Sequence, residues 1–181
     1  MKQEIRIIGG LYKGKKINFP ETEGLRPTPG RVRETLFNWL MHVIQDARCL
    51  DAFAGSGALG LEAFSRGAAQ ITLIEQSATA HAQLKKIIMA FNSPKLKLIH
   101  TDTKLYFQKQ HEPFDLIFLD PPFTQDIIPQ CLHDIAKNNI LAQDGLVYVE
   151  SANIINIDKN QWQQIKLKQA GQVVYGLFKK L

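Results

Sequence analysis

The sequence predicts an α/β fold in which an open, mostly parallel β-sheet is covered by helices on both faces. In the middle of the 181-residue chain, short apolar runs alternate with segments of helical periodicity. The apolar runs contain few polar residues, which is typical of parallel strands buried on both faces. Two extended segments joined by Ala170-Gly171 near the end of the chain predict an antiparallel hairpin that closes the sheet.

The first thirty residues are predicted to form a basic extension, followed by one domain over residues 31–181. Residues 5–8 and 11–19 resemble a β-hairpin or paired extended segments around Gly9-Gly10. Prolines and glycines exclude regular structure between 24 and 30. Residues 1–48 contain nine Lys or Arg and five acids, against thirteen and twelve in the remainder. This excess favours a polyanionic partner, although a slightly basic surface would give the same count.

The predicted elements of the domain follow in order. A helix begins at Arg31, with Arg31, Arg33 and Glu34 off its apolar stripe. Ser77 and Asp126 are the predicted N-caps of two later helices. The predicted strands cover residues 49–53, 71–74, 96–99, 114–119 and 146–149, and the predicted helices lie near 58–66, 77–91, 103–109 and 127–137.

The composition also excludes several classes of protein. No uncharged apolar run approaches the roughly 18 residues that a membrane-spanning helix needs. Cys49 and Cys131 are interpreted as core thiols of a reduced compartment, which indicates a cytoplasmic protein. The five histidines have no metal-ligand spacing, so we expect no metal site. We also expect a monomer.

A glycine-rich loop between the first predicted strand and the next helix is the most informative segment. Gly55, Gly57 and Gly60 form a G-x-G-x-x-G pattern, in which the backbone can approach a ligand closely. Glu75 ends the next strand, where a carboxylate can accept hydrogen bonds from both ribose hydroxyls of a nucleoside. The loop and this acid together predict a cofactor that contains adenosine.

Two further acids bear on which adenosine cofactor is bound. Asp51 precedes the loop, where it would repel the pyrophosphate of a nicotinamide dinucleotide but would suit the ammonium of S-adenosylmethionine. The chain also leaves no residues for the substrate domain that a nicotinamide oxidoreductase usually needs. Asp102 follows the third strand as a possible acceptor for the adenine amine. All three acids are expected at the carboxyl edge of the sheet.

The fourth strand of the alternation runs directly into Asp120-Pro121-Pro122-Phe123. The prolines lack N–H donors, so nearby carbonyls remain free to accept hydrogen bonds from a ligand. Asp120 adds acceptors, and Phe123 offers a flat apolar face. A planar nucleobase with an exocyclic amine needs this combination. The segment therefore predicts in-line methyl transfer to such an amine, with no metal and no covalent enzyme intermediate.

With both motifs identified, the chain resembles the RsmD family of bacterial 16S ribosomal RNA guanine-N2 methyltransferases, which have a Rossmann-like class I fold. The resemblance implies a seven-stranded sheet with an antiparallel last strand, S-adenosylmethionine as the donor and one guanine of the small subunit as the target. Thr103 stands where a small Ala is common in the family, and Gly30 where an acid is common. The segments that carry the resemblance are 6–10, 24–28, 31–40, 51–60, 120–123 and 147–150.

The resemblance also implies roles for individual residues. Asp120, Pro121, Pro122 and Phe123 would contact the target base. The cofactor would be contacted by Asp51, Phe53, Gly55, Gly57, Glu75 and Asp102.

The basic section is the predicted RNA-facing element. Its candidate phosphate contacts are Lys13, Lys15, Lys16, Arg26, Arg31 and Arg33. Three alternatives to the ribosomal enzyme stay open. They are an adenine-N6 or cytosine-N4 methyltransferase acting on DNA, a noncatalytic RNA-binding factor that keeps the cofactor pocket, and a nicotinamide oxidoreductase.

Overall fold

The computed structural model describes residues 2–20, 28–109, 112–123 and 126–181. At the amino terminus, β1 (Lys2–Arg6) and β2 (Lys16–Pro20) pair antiparallel as a separate two-stranded sheet. The predicted hairpin is therefore present, although residues 7–15 form its connection instead of extending the second strand. Helix α1 (Gly30–Trp39) begins the main domain.

Seven strands form the main sheet, in the spatial order β5-β4-β3-β6-β7-β9-β8. The pairings among β3, β4, β5, β6 and β7 are parallel, and β9 is antiparallel to both of its neighbours. The predicted sheet with an antiparallel last strand is thus confirmed. The strands are β3 (Arg48–Asp51), β4 (Gln70–Glu75), β5 (Leu96–His100), β6 (Phe114–Leu119), β7 (Leu141–Ser151), β8 (Trp162–Ala170) and β9 (Val173–Lys180).

Helices cover both faces of this sheet, as the uniformly apolar strands predict. On one face, α1, α2 (Ala58–Ser65) and α3 (Ala78–Met89) bury a cluster that includes Leu36, Leu61 and Leu84. On the other face, α4 (Thr103–Phe107) and α5 (Ile128–Lys137) bury a second cluster that includes Phe107 and Ile135. Each cluster contains one of the two cysteines, and both cysteines are unpaired and buried.

The order of the strands creates a switch point between β3 and β6. From β3 the chain proceeds outward through β4 and β5, whereas from β6 it proceeds the other way to β7. Asp51, the last residue of β3, lies beside Phe118, and the Ala52 N–H donates to the Phe118 carbonyl at 3.1 Å. The loops that follow β3 and β6 therefore leave neighbouring strands at one edge, where open α/β sheets bind ligands.

The amino-terminal hairpin is packed against the domain. Ile5, Ile7, Ile17 and Phe19 belong to the same buried cluster as α1 and α2. The carboxylate of Glu62, which has no exposed surface, accepts the N–H groups of Ile8 at 2.8 Å and Gly9 at 2.9 Å. One side chain of α2 thus holds the connection between β1 and β2, so the hairpin is a fixed part of the fold.

Two local predictions are wrong and one is confirmed. Ser77 caps α3 by accepting the Ala80 N–H at 3.3 Å, as expected. Asp126 does not cap α5, because Ile127 occupies that position and makes no side-chain cap bond. Arg33 is not off the apolar stripe of α1: only 4% of the residue is exposed.

Candidate active site

Asp51 lies beneath the glycine-rich loop and fastens it to the sheet. Its Oδ2 atom accepts the Gly60 N–H at 2.9 Å, and only 2% of the residue is exposed. Burial raises the pKa of Asp51 to about 7, against the lowering effect of its hydrogen bond from Gly60. Nearby Glu75 raises this pKa further. A cationic group placed near this carboxyl would favour its ionised form.

Glu75 connects the end of β4 to the same loop. Its Oε2 atom accepts the Gly55 N–H at 2.9 Å, and its Oε1 atom accepts the Ser77 N–H at 2.7 Å. The side chain is half-buried at the sheet edge. The carboxylate therefore lies at the sheet edge where the sequence predicts it, and each of its oxygens can accept a further hydrogen bond.

Asp102 and Thr103 close the site on the side of β5. The Oδ1 atom of Asp102 caps α4 by accepting the N–H groups of Lys104 at 2.8 Å and Leu105 at 3.2 Å. The buried Thr103 hydroxyl donates to the Ala52 carbonyl, which links α4 to the end of β3. The unusual threonine thus has a structural partner beside the loop.

The glycine-rich loop has the shape that a closely approaching ligand requires. Gly55 and Gly57 have positive φ angles of 50° and 78°. A Cβ at Gly57 would lie 2.7 Å from Leu84 Cδ1, so glycine is needed both for backbone conformation and for packing. Together with the half-buried Phe53 and the acids at the strand ends, the loop fits an adenosine cofactor that carries an ammonium.

The Asp120–Phe123 segment lies directly after β6 at the same edge. Asp120 is half-buried, Pro121 is buried, and Pro122 and Phe123 are exposed, with 44% of the Phe123 surface open. Burial raises the pKa of Asp120 well above its usual range, and the Glu150 carboxylate raises it further. An uncovered aromatic ring beside a carboxyl is suited to receive a flat polar ligand.

A group of hydroxyls and carboxyls behind Asp120 was not anticipated from the sequence. The Thr28 hydroxyl donates to Asp120 Oδ2 at 3.0 Å. The Tyr148 hydroxyl donates to Glu150 Oε2 at 2.9 Å. Thr28, Tyr148 and Glu150 are all buried. Tyr148 and Glu150 are two residues apart on β7, whereas Thr28 comes from a distant part of the chain.

The predicted RNA-facing residues fall into different environments. Lys13 and Arg31 are exposed. The Lys15 amine lies 4.2 Å from the centroid of the Phe91 ring, and Lys16 pairs with Glu4 at 2.9 Å. These four side chains are on the hairpin or at the start of α1.

Arg26 and Arg33 are the remaining members of the predicted RNA-facing set. Arg26 lies outside the described residues. Arg33 is buried, where it donates to the Arg6 carbonyl at 3.0 Å and pairs with Glu62 at 3.5 Å. Its assignment as a phosphate contact is wrong, because its guanidinium holds the hairpin instead of facing solvent.

Within the part of the chain that the structure describes, no cluster of three metal-binding side chains occurs. The same residues contain no helix long and apolar enough to cross a bilayer.

Comparison with known proteins identifies the family. A family profile described as "Conserved hypothetical protein 95" matches residues 5–179. The ribosomal RNA small subunit methyltransferase D of Escherichia coli K12 is 42% identical over 179 residues, which cover 98% of this chain and 90% of the relative. The chain belongs to the RsmD family.

A second relative and two solved structures also resemble the chain. The corresponding methyltransferase D of Haemophilus influenzae is 42% identical over 182 residues, covering 98% of this chain and 94% of the relative. The solved structure of Escherichia coli yhhF superposes with a TM-score of 0.90 at 40% identity and covers 98% of both chains. A Thermus thermophilus 16S rRNA N2 G1207 methyltransferase, solved with AdoMet and guanosine, has a TM-score of 0.72 at 20% identity. It covers 99% of this chain but 50% of that protein, and it shares the fold.

Sequence reasoning missed the structural acids of the site, although each left a weak signal. Glu62 is the one charged residue in the otherwise largely apolar α2 segment. A helix position that faces solvent usually has other polar residues on the same face. Glu150 ends the Val147–Glu150 segment, one of those that carry the family resemblance, but that resemblance implies no role for it. Thr28 has no signal of its own, because its partner lies 92 residues away.

Proposed function

We propose that this chain methylates the exocyclic N2 amine of a specific guanine in 16S ribosomal RNA, with S-adenosylmethionine as the donor. One observation carries the proposal: the glycine-rich loop and the Asp120–Phe123 segment leave adjacent parallel strands at one sheet edge. A methyl donor bound to the first would therefore lie next to a base bound to the second. Membership in a family of ribosomal RNA methyltransferases supports this arrangement.

The cofactor side of the site is proposed to bind by its acids and loop. Glu75 would accept the ribose hydroxyls, Asp102 the adenine amine, and Asp51 would attract the amino-acid ammonium. Phe53, Gly55 and Gly57 would contact the cofactor along the loop. S-adenosylmethionine supplies an electrophilic methyl group on a positively charged sulfur.

The base side orients the nucleophile. Guanine presents adjacent N1–H and N2–H donors, and the Asp120 carboxylate together with nearby backbone carbonyls would accept them. Phe123 would stack on the ring, and Pro121 and Pro122 would shape the segment. Holding the N2 hydrogens turns the nitrogen lone pair toward the donor methyl, so that positioning supplies much of the acceleration.

The products follow from the balance of the reaction. The new N2–CH3 bond forms as the methyl–sulfur bond breaks, which leaves S-adenosylhomocysteine and a methylated nitrogen that loses one proton. The Asp120 carboxylate, whose raised pKa makes it a better proton acceptor, would take that proton and pass it to water.

The RNA would approach over the hairpin and the start of α1. Lys13, Lys15, Lys16 and Arg31 would neutralise phosphates, and Arg26 adds a positive charge in the adjoining segment. Because Glu62 fixes the hairpin to α2, this basic surface keeps a constant position relative to the base site.

The alternative is an amine methyltransferase acting on adenine N6 or cytosine N4 of DNA, since Asp120 could accept hydrogen bonds from either base. The protein would be incubated with labelled S-adenosylmethionine and either undermethylated 30S subunits or duplex DNA, followed by nucleoside analysis. We expect label in N2-methylguanosine from the subunits. Label only in DNA would refute the ribosomal proposal.

A further inference from the structure

The carboxyl of Glu150 lies next to Asp120 because of the register between β6 and β7. Leu119 pairs with Val149, so the next residue on each strand, Asp120 and Glu150, occupies neighbouring positions on one face of the sheet. Glu150 is 2% exposed. A second carboxyl is therefore held behind the proposed base-binding carboxyl, away from solvent.

The Thr28 hydroxyl lies between these two carboxyls. It donates to Asp120 Oδ2 at 3.0 Å and also interacts with Glu150, whose pKa is raised, chiefly by burial. The raised pKa favours the neutral form of Glu150, whose O–H would donate a hydrogen bond to the Thr28 oxygen while the Thr28 hydroxyl donates to Asp120. This arrangement lets one chain of hydrogen bonds run from Glu150 through Thr28 to Asp120.

Tyr148 fixes the far end of this chain. Its hydroxyl donates to Glu150 Oε2 at 2.9 Å, while its ring packs edge-on against Phe118, with 6.3 Å between the centroids. Tyr148 is fully buried. Because its ring is locked in the core, the Glu150 carboxyl has a defined orientation, which is what a buried carboxyl needs in order to act on its neighbour.

We infer that Glu150 is a positioning residue for methyl transfer, acting through the Thr28 hydroxyl to hold the Asp120 carboxylate in the orientation that receives the target amine. The inference rests on the proposed role of Asp120 in binding the base. Glu150 itself does not touch the base or the cofactor. Its contribution is to keep one Asp120 oxygen occupied by Thr28, so that the other oxygen faces the ligand.

Variants of Glu150 and Thr28 distinguish a role in hydrogen bonding from a role of the negative charge on Glu150. Glu150→Gln keeps an N–H donor toward Thr28 and a carbonyl for Tyr148, whereas Glu150→Ala keeps neither. Thr28→Ser keeps the bridging hydroxyl, and Thr28→Val removes it at nearly the same volume. A hydrogen-bond chain predicts that the Gln and Ser variants retain function, whereas a required second negative charge would make Gln as damaging as Ala.

The test uses the full chain with undermethylated 30S subunits and labelled S-adenosylmethionine. We expect Thr28→Val and Glu150→Ala to lower kcat about 10- to 100-fold, the range that misplacement of a reacting group produces. The KM for subunits and the calorimetric Kd for S-adenosylhomocysteine should stay within about threefold, because neither ligand touches Glu150. Thr28→Ser and Glu150→Gln should recover kcat to within about threefold of the wild type.

Two controls keep the outcomes distinct. Glu112→Ala removes an exposed acid at the opposite end of β6 and should leave kcat unchanged. Asp120→Ala tests the proposed function itself: full turnover in that variant would refute the base-binding assignment. If Asp120→Ala is inactive while Glu150→Ala and Thr28→Val turn over like wild type, the positioning role alone is wrong. Equal losses of kcat in Glu150→Gln and Glu150→Ala would also overturn the positioning role. If Glu150→Ala fails to fold, Glu150→Gln is compared with Thr28→Val instead, and equal losses of kcat would have the same meaning.

Discussion

Replacing Asp51 with Asn should change how the stability of the protein depends on pH. Burial raises the pKa of Asp51 from an ordinary value of 3.8 to about 7 in the folded chain. A carboxyl with a raised folded-state pKa stabilises the fold fully only below its unfolded pKa, and this contribution is lost as pH rises through the folded value. Wild-type stability should therefore fall between pH 5 and pH 8.

The size of this effect follows from linkage. With pKa values of about 7 folded and 3.8 unfolded, the Asp51 contribution to unfolding free energy should fall by roughly 2 to 3 kcal/mol from pH 5 to pH 8. For a chain of this length, that corresponds to a decrease in Tm of about 5–10 °C. Asn cannot titrate, but its carbonyl can still accept the Gly60 N–H, so Asp51→Asn should lack this decrease.

The assay is thermal and urea unfolding of both proteins without cofactor at a series of pH values. The informative quantity is how the free energy of unfolding changes with pH, compared between the variant and the wild type, since other groups titrate equally in both. Asp126→Asn, which changes an exposed acid, serves as the control and should match the wild-type curve. Parallel curves for Asp51→Asn and wild type would refute the idea that a buried carboxyl beneath the loop takes up a proton.

Three further predictions concern the loop, the hairpin and the RNA surface. Gly57→Ala should weaken binding of S-adenosylhomocysteine in calorimetry and cost about 1–2 kcal/mol of stability, because alanine disfavours a φ of 78° and its Cβ would meet Leu84. Glu62→Ala should cost about 3–5 kcal/mol in urea unfolding, because it leaves Arg33 and two backbone N–H groups without their buried carboxylate. Lys13→Ala and Arg31→Ala should each weaken RNA binding in filter assays. Each should also reduce, by about one, the magnitude of the slope of the logarithm of the binding constant against the logarithm of salt concentration.

Control variants isolate the effects expected at Gly57 and on the RNA surface. Gly14→Ala also has a positive φ of 86° but open space around it, so it separates backbone strain from the contact with Leu84. Wild-type stability of Glu62→Ala would contradict the anchoring role assigned to that residue. Lys137→Ala removes an exposed charge at the end of α5, on the opposite face of the sheet from the hairpin. If this variant weakened the salt dependence of RNA binding as much as Lys13→Ala does, the RNA surface would not be localised to the hairpin.

The sequence anticipated the parts of the site that follow directly from strand order. Asp51 and Glu75 end successive parallel strands and Asp120 follows a third, and such positions meet at one edge in any fold of this class. The positive φ angles of Gly55 and Gly57 could also be predicted from the sequence, because few other residues adopt that conformation. These features depend on local chemistry and on topology, both of which leave a pattern in the chain.

The residues that sequence reasoning missed depend on packing between distant segments. Thr28 contacts Asp120 from a segment 92 residues away in the chain, and Glu150 lies next to Asp120 through the register between β6 and β7. Arg33 was expected to be exposed from its charge, yet a buried Glu62 provides its partner. Pairs of this kind offset the cost of burial for each other, so neither residue is recognisable alone.

The most direct test of the account is mass mapping of modified nucleosides in 16S ribosomal RNA from cells that lack this protein. The account predicts the loss of one N2-methylguanosine, its return with the wild-type gene, and no return with Asp120→Ala. An unchanged set of methylated guanines in the deleted strain, or full restoration by the Asp120→Ala variant, would contradict it.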